Sequence, residues 1–302
     1  MVEDSRPPFH PPDLRSQHLS AAAGECYIFT MFSNADLPSV RRELLRISKD
    51  PAADLAEGAL WIAGLETPDV ARETYLAWLS DEAARARAAV TDLDGPALLG
   101  VMRDQLGFRG DEDNYYDARN SCLDQVINRR RGIPITLSLV YLALASRAGE
   151  EACGINAPGH FLVRHRDLVI DPFQGEFLST DDFAQHLARL GLPKPRQQAV
   201  RLLQEPADNQ MILVRMLTNL RGVYLRDEKF QQGLAVVDLL AHLDPGNPVW
   251  RRDRGLLYRQ LDCPGQARED LEGYLASAPP SPDTETIREL LKSMEENPRV
   301  LH

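Results

Sequence analysis

His160 and Asp171 are the two residues whose types and spacing could do chemistry together. They open and close the string H-F-L-V-R-H-R-D-L-V-I-D, two apolar runs flanking a polar His165-Arg166-Asp167 segment. That pattern predicts a β-hairpin with a tight turn. With His165 and Arg166 as the turn residues, Val163 stands opposite Leu168 and His160 opposite Asp171. Directly opposed residues share one face, with Cβ atoms about 4.5–5.5 Å apart. An imidazole oriented by a carboxylate supplies two members of a hydrolase or acyltransferase triad. The missing member is a nucleophile, best a thiolate at a helix N-terminus, whose positive end lowers the thiol pKa.

A helix N-terminus does precede the hairpin. Pro134 suits a first helical position, where its absent N–H costs nothing. Leu137 to Ala148 is apolar nearly all round, which predicts a buried helix ended by Gly149. Upstream, Ser121 to Arg131 predicts a helix with Gly132 as its C-cap. Ala152 to Asn156 reads as a short strand broken by Ala157-Pro158-Gly159. Near this block the hydroxyls are Thr136 and Ser138 and the thiols are Cys122 and Cys153. A hydroxyl is far harder to ionise than a thiol. Cys122 sits on the preceding helix and Cys153 one strand before His160, positions where a cysteine commonly serves as a small buried apolar residue. Gly159, just before His160, lets the backbone approach something closely.

The elements that must position these residues follow from periodicity. Residues 36–106 show apolar positions at helical spacing, punctuated by Pro51, Pro68 and Pro96, and predict antiparallel helices on one core. Gly107 to Asn120 reads as a loop. Its Asp111, Glu112, Asp113 and Asp117 lack the spacing of a calcium loop, so a solvated acidic loop is expected. Arg129-Arg130-Arg131 reads as a solvated cap or a partner for acidic residues, since cations suit a helix C-terminus. Asp181 to Leu190 predicts a short helix with Ser179 or Thr180 as N-cap. Gly191 to Pro195 is a break, and a domain boundary is expected near Gln204 to Asp208.

The chain of 302 residues is long enough for two cores. Its apolar share of 43% and charged share of 26% are those of a globular protein. The Pro-rich, charged start lacks the apolar centre of a secretory signal, and residues 1–24 are expected to form a flexible arm. No run is long enough to span a membrane. Cys26, Cys122, Cys153 and Cys263 make no C-x-x-C pair, so neither a zinc site nor a disulfide framework is indicated, and a cytoplasmic chain with free thiols is expected. A net charge of −11 disfavours nucleic acid and anionic lipid as partners. There is no phosphate loop or dinucleotide fingerprint, so no cofactor is expected.

Beyond the boundary, two segments match at an offset of about 34 residues. Tyr224 maps to Tyr258, Gly233 to Ala267, Val237 to Leu271, Leu240 to Tyr274 and Pro245 to Pro279. The period, the small residue at the close-packing point and the terminal Pro resemble the tetratricopeptide repeat. The first repeat departs from it with Arg221 where the second has Gly255. With a further helix over Thr284 to Met294, the hairpins could form a peptide groove or a helical cap on the preceding domain.

The order helix, His strand, Asp strand resembles the transglutaminase-like, papain-related superfamily. The string N-S-C-L-D-Q-V-I-N-R-R-R-G-I-P-I-T-L-S-L-V-Y-L, followed by I-N-A-P-G-H-F-L-V-R and I-D-P-F, is similar to the bacterial SirB-type family. That resemblance implies an α+β fold: a helix-rich transglutaminase-like core with a small antiparallel sheet, followed by all-α tetratricopeptide-type hairpins. It divides the chain into the arm, a core over residues 25–204 and repeats over residues 205–302. It also implies that His160 and Asp171 take the His and Asp positions. Asn120, Arg131, Gly132, Pro134, Asn156, Pro158 and Gly159 fall in the shared strings. Counted back from Gly149, the Cys position falls at Pro134, with Thr136 and Ser138 nearby and no Cys. A protein or peptide binder with a degenerate dyad is the first expectation. A hydrolase or acyltransferase on amide bonds, with Thr136, Ser138 or Cys122 as nucleophile, is the second. The family name suggests a regulator of gene expression, but direct DNA binding fits poorly with the charge and with the absence of a reader motif.

Overall fold

A computed structural model describes residues 36–296, and the side chains to residue 294. The expected arm and Cys26 lie outside the described residues.

Helices α1 (Leu37–Lys49), α2 (Leu55–Ala63) and α3 (Arg72–Ala89) form the N-terminal layer. Asp36 and Asp54 cap the first two by accepting from Ser39 N–H and Ala56 N–H. Pro51 and Pro68 fall between helices, and Pro96 stands in the first turn of α4 (Gly95–Gly100). The chain then widens into one π-helical turn, Val101–Gln105. Strand β1 (Arg109–Gly110) pairs in parallel with β2 (Arg131–Gly132), framing a 3-10 turn (Ala118–Ser121) and α5 (Leu123–Arg129). The C-cap of α5 is therefore Arg130, in the left-handed region at φ 58°, not Gly132. Gly132 is needed for another reason: a Cβ there would lie 2.8 Å from Thr136 Oγ1 and 3.0 Å from Val126.

Helix α6 (Pro134–Arg147) is the centre of the molecule, buried along most of its length. It packs on an antiparallel sheet of order β3-β4-β5-β6: Ala152–Ala157, His160–His165, Leu168–Asp171 and Glu176–Leu178. The strand expected to break at Ala157 continues through it, and Pro158-Gly159 alone make the turn, with Gly159 at φ 69°. The β4–β5 register also differs from expectation. Val163 pairs with Ile170 and His165 with Leu168, so the turn is Arg166-Asp167. His165 is fully buried and shares a 2.7 Å hydrogen bond with the Tyr141 hydroxyl of α6, which holds it in the strand.

Strand side chains alternate between two clusters, as a period of two requires. Phe161, Val163 and Ile170 join α6 in the main core. Ile155, Ala157 and Leu162 join Phe183 and Leu187 of α7 (Thr180–Arg189) and Ala199 of α8 (Pro195–Gln204). Ser179 caps α7 in a reciprocal pair with Asp182. The break expected at Gly191 to Pro195 separates α7 from α8, whose first residue is Pro195.

Helices α9 (Asn209–Arg226), α10 (Phe230–Leu243), α11 (Pro248–Gln260), α12 (Pro264–Ser277) and α13 (Pro282–Glu296) complete the chain. The fold is α+β, with the sheet in the first part and helical hairpins in the second. The backbone turns between Gln204 and Asn209, but the apolar core does not stop there. Leu213, Met216, Leu217 and Leu220 of α9 are buried in the same cluster as Leu137 and Val140 of α6. Gly255 lets α12 close on α11, since a Cβ would lie 2.8 Å from Leu271. At the matching position of the first hairpin, Arg221 forms an ion pair with buried Asp253 of α11.

Candidate active site

His160 and Asp171 meet, but not as directly opposed residues. Extending the observed register puts Leu162 opposite Asp171, two residues from His160 on the same face. Such diagonal neighbours lie within reach of a long side chain. His160 Nε2 and Asp171 Oδ2 are 2.6 Å apart, with Asp171 only 4% exposed. The carboxylate is held from behind: its Oδ1 accepts from the backbone N–H of Phe173 (2.9 Å) and Gln174 (3.1 Å). This fixes Asp171 in the turn that follows β5, so it can orient the imidazole at little further entropic cost. His186 of α7 flanks the pair, its ring centroid 5.7 Å from that of His160. His186 also bonds the Pro158 carbonyl at 3.3 Å, clamping α7 over the Pro158-Gly159 turn.

The possible nucleophiles are engaged elsewhere. Thr136 Oγ1 accepts from Ile133 N–H at 3.1 Å and lies 2.8 Å from the Asn120 carbonyl, to which it donates. Ser138 Oγ faces the Phe161 carbonyl at 3.5 Å. Cys122 is fully buried, and its Sγ points to the Ala118 carbonyl at 3.5 Å. Burial pushes its thiol well above the ordinary value, and nearby Asp124 adds to the effect. That is opposite to the shift an activated cysteine needs. Cys153 is half-buried on β3. Among the described residues, the hydrogen bond of the His160 ring goes to Asp171 and to none of these four.

The remaining shared-string residues fall into two groups. Asn120, Gly132 and Pro134 build the start of α6 from inside. Asn120 is fully buried; its amide donates to the Asn114 carbonyl and its Oδ1 accepts from Arg129, both at 2.7 Å. Arg131 is exposed and holds β2 against Arg109. The second group is the end of β3 and the turn to β4: Asn156 on the strand, then Pro158 and Gly159. Of the basic run, Arg131 is solvated and Arg129 has an acidic partner, the two roles expected of it, while Arg130 takes neither. Arg129 pairs with Asp111 at 3.5 Å, and Arg130 stacks over Trp78 at 4.4 Å. Asp111 is accordingly buried rather than solvated, and it caps its own loop by accepting from Asn114 N–H.

Sequence reasoning missed Arg103, Tyr115, His186 and Arg215. Arg103, on the π-helical turn, lays its guanidinium over Gly175, where a Cβ would have to displace it, and it donates to the Phe173 carbonyl at 3.4 Å. Tyr115 meets Phe173 edge-on at 6.0 Å. A π-helical turn often marks a functional site, but it leaves no sequence signal. The adjacent Tyr115-Tyr116 in a polar loop could have been noticed.

A model of the transglutaminase-like superfamily matches residues 73–218, and a tetratricopeptide-repeat model matches residues 220–292. A UPF0162 protein of Xylella fastidiosa is 34% identical over 250 residues, covering 79% of this chain and 89% of that protein. The chain belongs to the UPF0162 family. A UPF0162 protein of Pseudomonas aeruginosa is 35% identical over 236 residues, covering 76% of this chain and 86% of the relative. Protein SirB1 of Salmonella typhimurium is 27% identical over 210 residues, covering 68% and 77%. The family thus includes the SirB-type sequences, and this member joins a transglutaminase-like domain to tetratricopeptide repeats. No solved structure matches the chain significantly. Among the described residues, no helix is long and apolar enough to cross a membrane.

Proposed function

We propose that this protein works by binding a protein or peptide, in the cytoplasm, and that its transglutaminase-like core is catalytically degenerate. The observation that carries this reading is the start of α6. The position that would hold the nucleophile is Pro134, and the nearest hydroxyl, Thr136, is fully buried and donates to the Asn120 carbonyl. His160 and Asp171 then act as a structural dyad, locking β4 to the turn after β5. The repeats supply the binding surface. Residues 25–204 form the core and residues 205–302 the repeat region, with α9 shared between them.

The alternative, an amide hydrolase or acyltransferase using His160 as base, draws support from the 2.6 Å bond that orients its imidazole. Labelling of the full-length protein by a thiol-directed probe separates the two. The binding reading expects labelling confined to the half-buried Cys153 and Cys263 within the described residues, at rates unchanged in His160→Ala. A rate that falls about tenfold in His160→Ala, mapped to Cys122, would establish an activated thiol and overturn degeneracy. Turnover of amide substrates lost in both His160→Ala and Thr136→Val would do the same for the hydroxyl. Truncation at residue 205 is not a clean test of the repeats, because it removes buried α9 residues from the main core.

A further inference from the structure

A cavity of about 360 Å³ opens where the sheet meets the first repeat. Asn156 of β3 forms one wall. Asp208, Met211, Val214 and Arg215, at the start of α9, form another, and Asp244, just after α10, closes the end. The spacing 208, 211, 215 is one face of a helix.

Arg215 is the unusual member. Its Nη1 donates to Asn156 Oδ1 at 3.2 Å and to the Ala157 carbonyl at 3.4 Å, both neutral acceptors. Among the described residues no carboxylate pairs with it, and its Nε and Nη2 make no hydrogen bond. Burial disfavours its charge and holds the guanidinium below its ordinary pKa. A guanidinium partly withdrawn from water, with one edge anchored and the other edge free, is arranged to receive an anion.

We propose that this cavity binds a short peptide through a carboxylate on Arg215. The proposal rests on the peptide-binding reading and names the chemistry of one of its sites. A carboxylate matches the free fork of Arg215 in two parallel hydrogen bonds. A phosphate dianion fits less well, because Asp208 and Asp244 line the same space and repel a second negative charge. Those two acids suit a cationic side chain or amine farther along the peptide. Asp208 and Arg215 are seven residues apart, about 10 Å along the helix, which is roughly three residues of extended peptide. Met211, 44% exposed, and Val214 offer apolar surface between the two charged ends.

The test uses immobilised full-length protein and a random hexapeptide library, once with free C-termini and once amidated, read by mass spectrometry. Arg215→Gln and Arg215→Lys are run in parallel. Free-acid peptides are expected to be retained about tenfold or more over amidated ones, with the preference lost in Arg215→Gln and partly kept in Arg215→Lys. If amidated peptides retained by the wild type are instead rich in Asp or Glu, and are lost in Arg215→Gln, the carboxylate comes from a side chain and the site still stands. Retention that ignores both peptide carboxylates and Arg215 overturns the site while leaving peptide binding intact. No retention by the wild type overturns both. Displacement by inorganic phosphate at concentrations where acetate has no effect overturns the carboxylate assignment. Arg215→Lys keeps the test decisive if Arg215→Gln fails to fold, which circular dichroism would show.

Discussion

The starts of α6 and α9 make a useful contrast. Both are capped helix N-termini in contact with the main core, and both carry polar side chains. At α6 the polar atoms bond one another: Thr136 to Asn120 and Ile133, and Asn120 to Asn114 and Arg129. Pro134 and Gly132 close the remaining space. At α9 the same kinds of groups leave a cavity, with Arg215 only half used. The position that family resemblance marks for chemistry is therefore packed shut, and the open one carries no motif. Around α6 the polar groups are taken up by one another, the buried Arg129 Nε excepted, whereas the Arg215 fork faces open space.

Four substitutions would sharpen or break this contrast. Leu213→Ala, on the core side of α9, should cost most, about 2–5 kcal/mol, because it opens a cavity in the shared core. Urea unfolding measures it, and a cost well under 1 kcal/mol would mean that α9 is not integral to the fold. Thr136→Val should come next, at about 1–3 kcal/mol, since it strands the buried Asn120 carbonyl and Ile133 N–H. Its peptide retention should equal that of the wild type; lost binding would draw the α6 start back into function. Asp171→Asn should cost about 1 kcal/mol, because an amide oxygen still accepts from Phe173 and Gln174 while the charge beside His160 is lost. Nitrogen-15 shifts of the His160 ring would report that loss, and an unchanged spectrum would contradict the 2.6 Å bond. Arg215→Gln should change stability least, by about 0.5 kcal/mol or less, as its present partners are neutral and the site is partly open. A large loss of stability would make Arg215 a structural residue.

Local sequence determined much of this. Pro134 and the apolar run after it specify α6, because a missing N–H is free only in a first turn. The small residues near the 34-residue spacing anticipate close helix contacts such as Gly255 against Leu271. His160 and Asp171 are drawn together by the pleat alone, since strand periodicity puts both on one face even when the register differs from expectation.

What tertiary structure decided is where burial or a distant partner changes a local preference. Both His165-Arg166 and Arg166-Asp167 are polar enough to turn a hairpin. The observed register keeps His165 in the strand, where it pairs with Ala152 of β3 and bonds the Tyr141 hydroxyl reached through the fold. Arg130 accepts a left-handed backbone at φ 58° while its guanidinium stacks on Trp78. Asp111 and Arg129 leave solvent because each is the other's partner. Arg215 lies in the second turn of α9 with no local mark. Its meaning comes from Asn156, 59 positions away in sequence, and from the cavity that the sheet, α9 and the end of α10 enclose. Short-range periodicity can announce a helix or a strand. Whether a polar atom finds a partner or waits for one depends on contacts between distant segments, which only the folded chain creates.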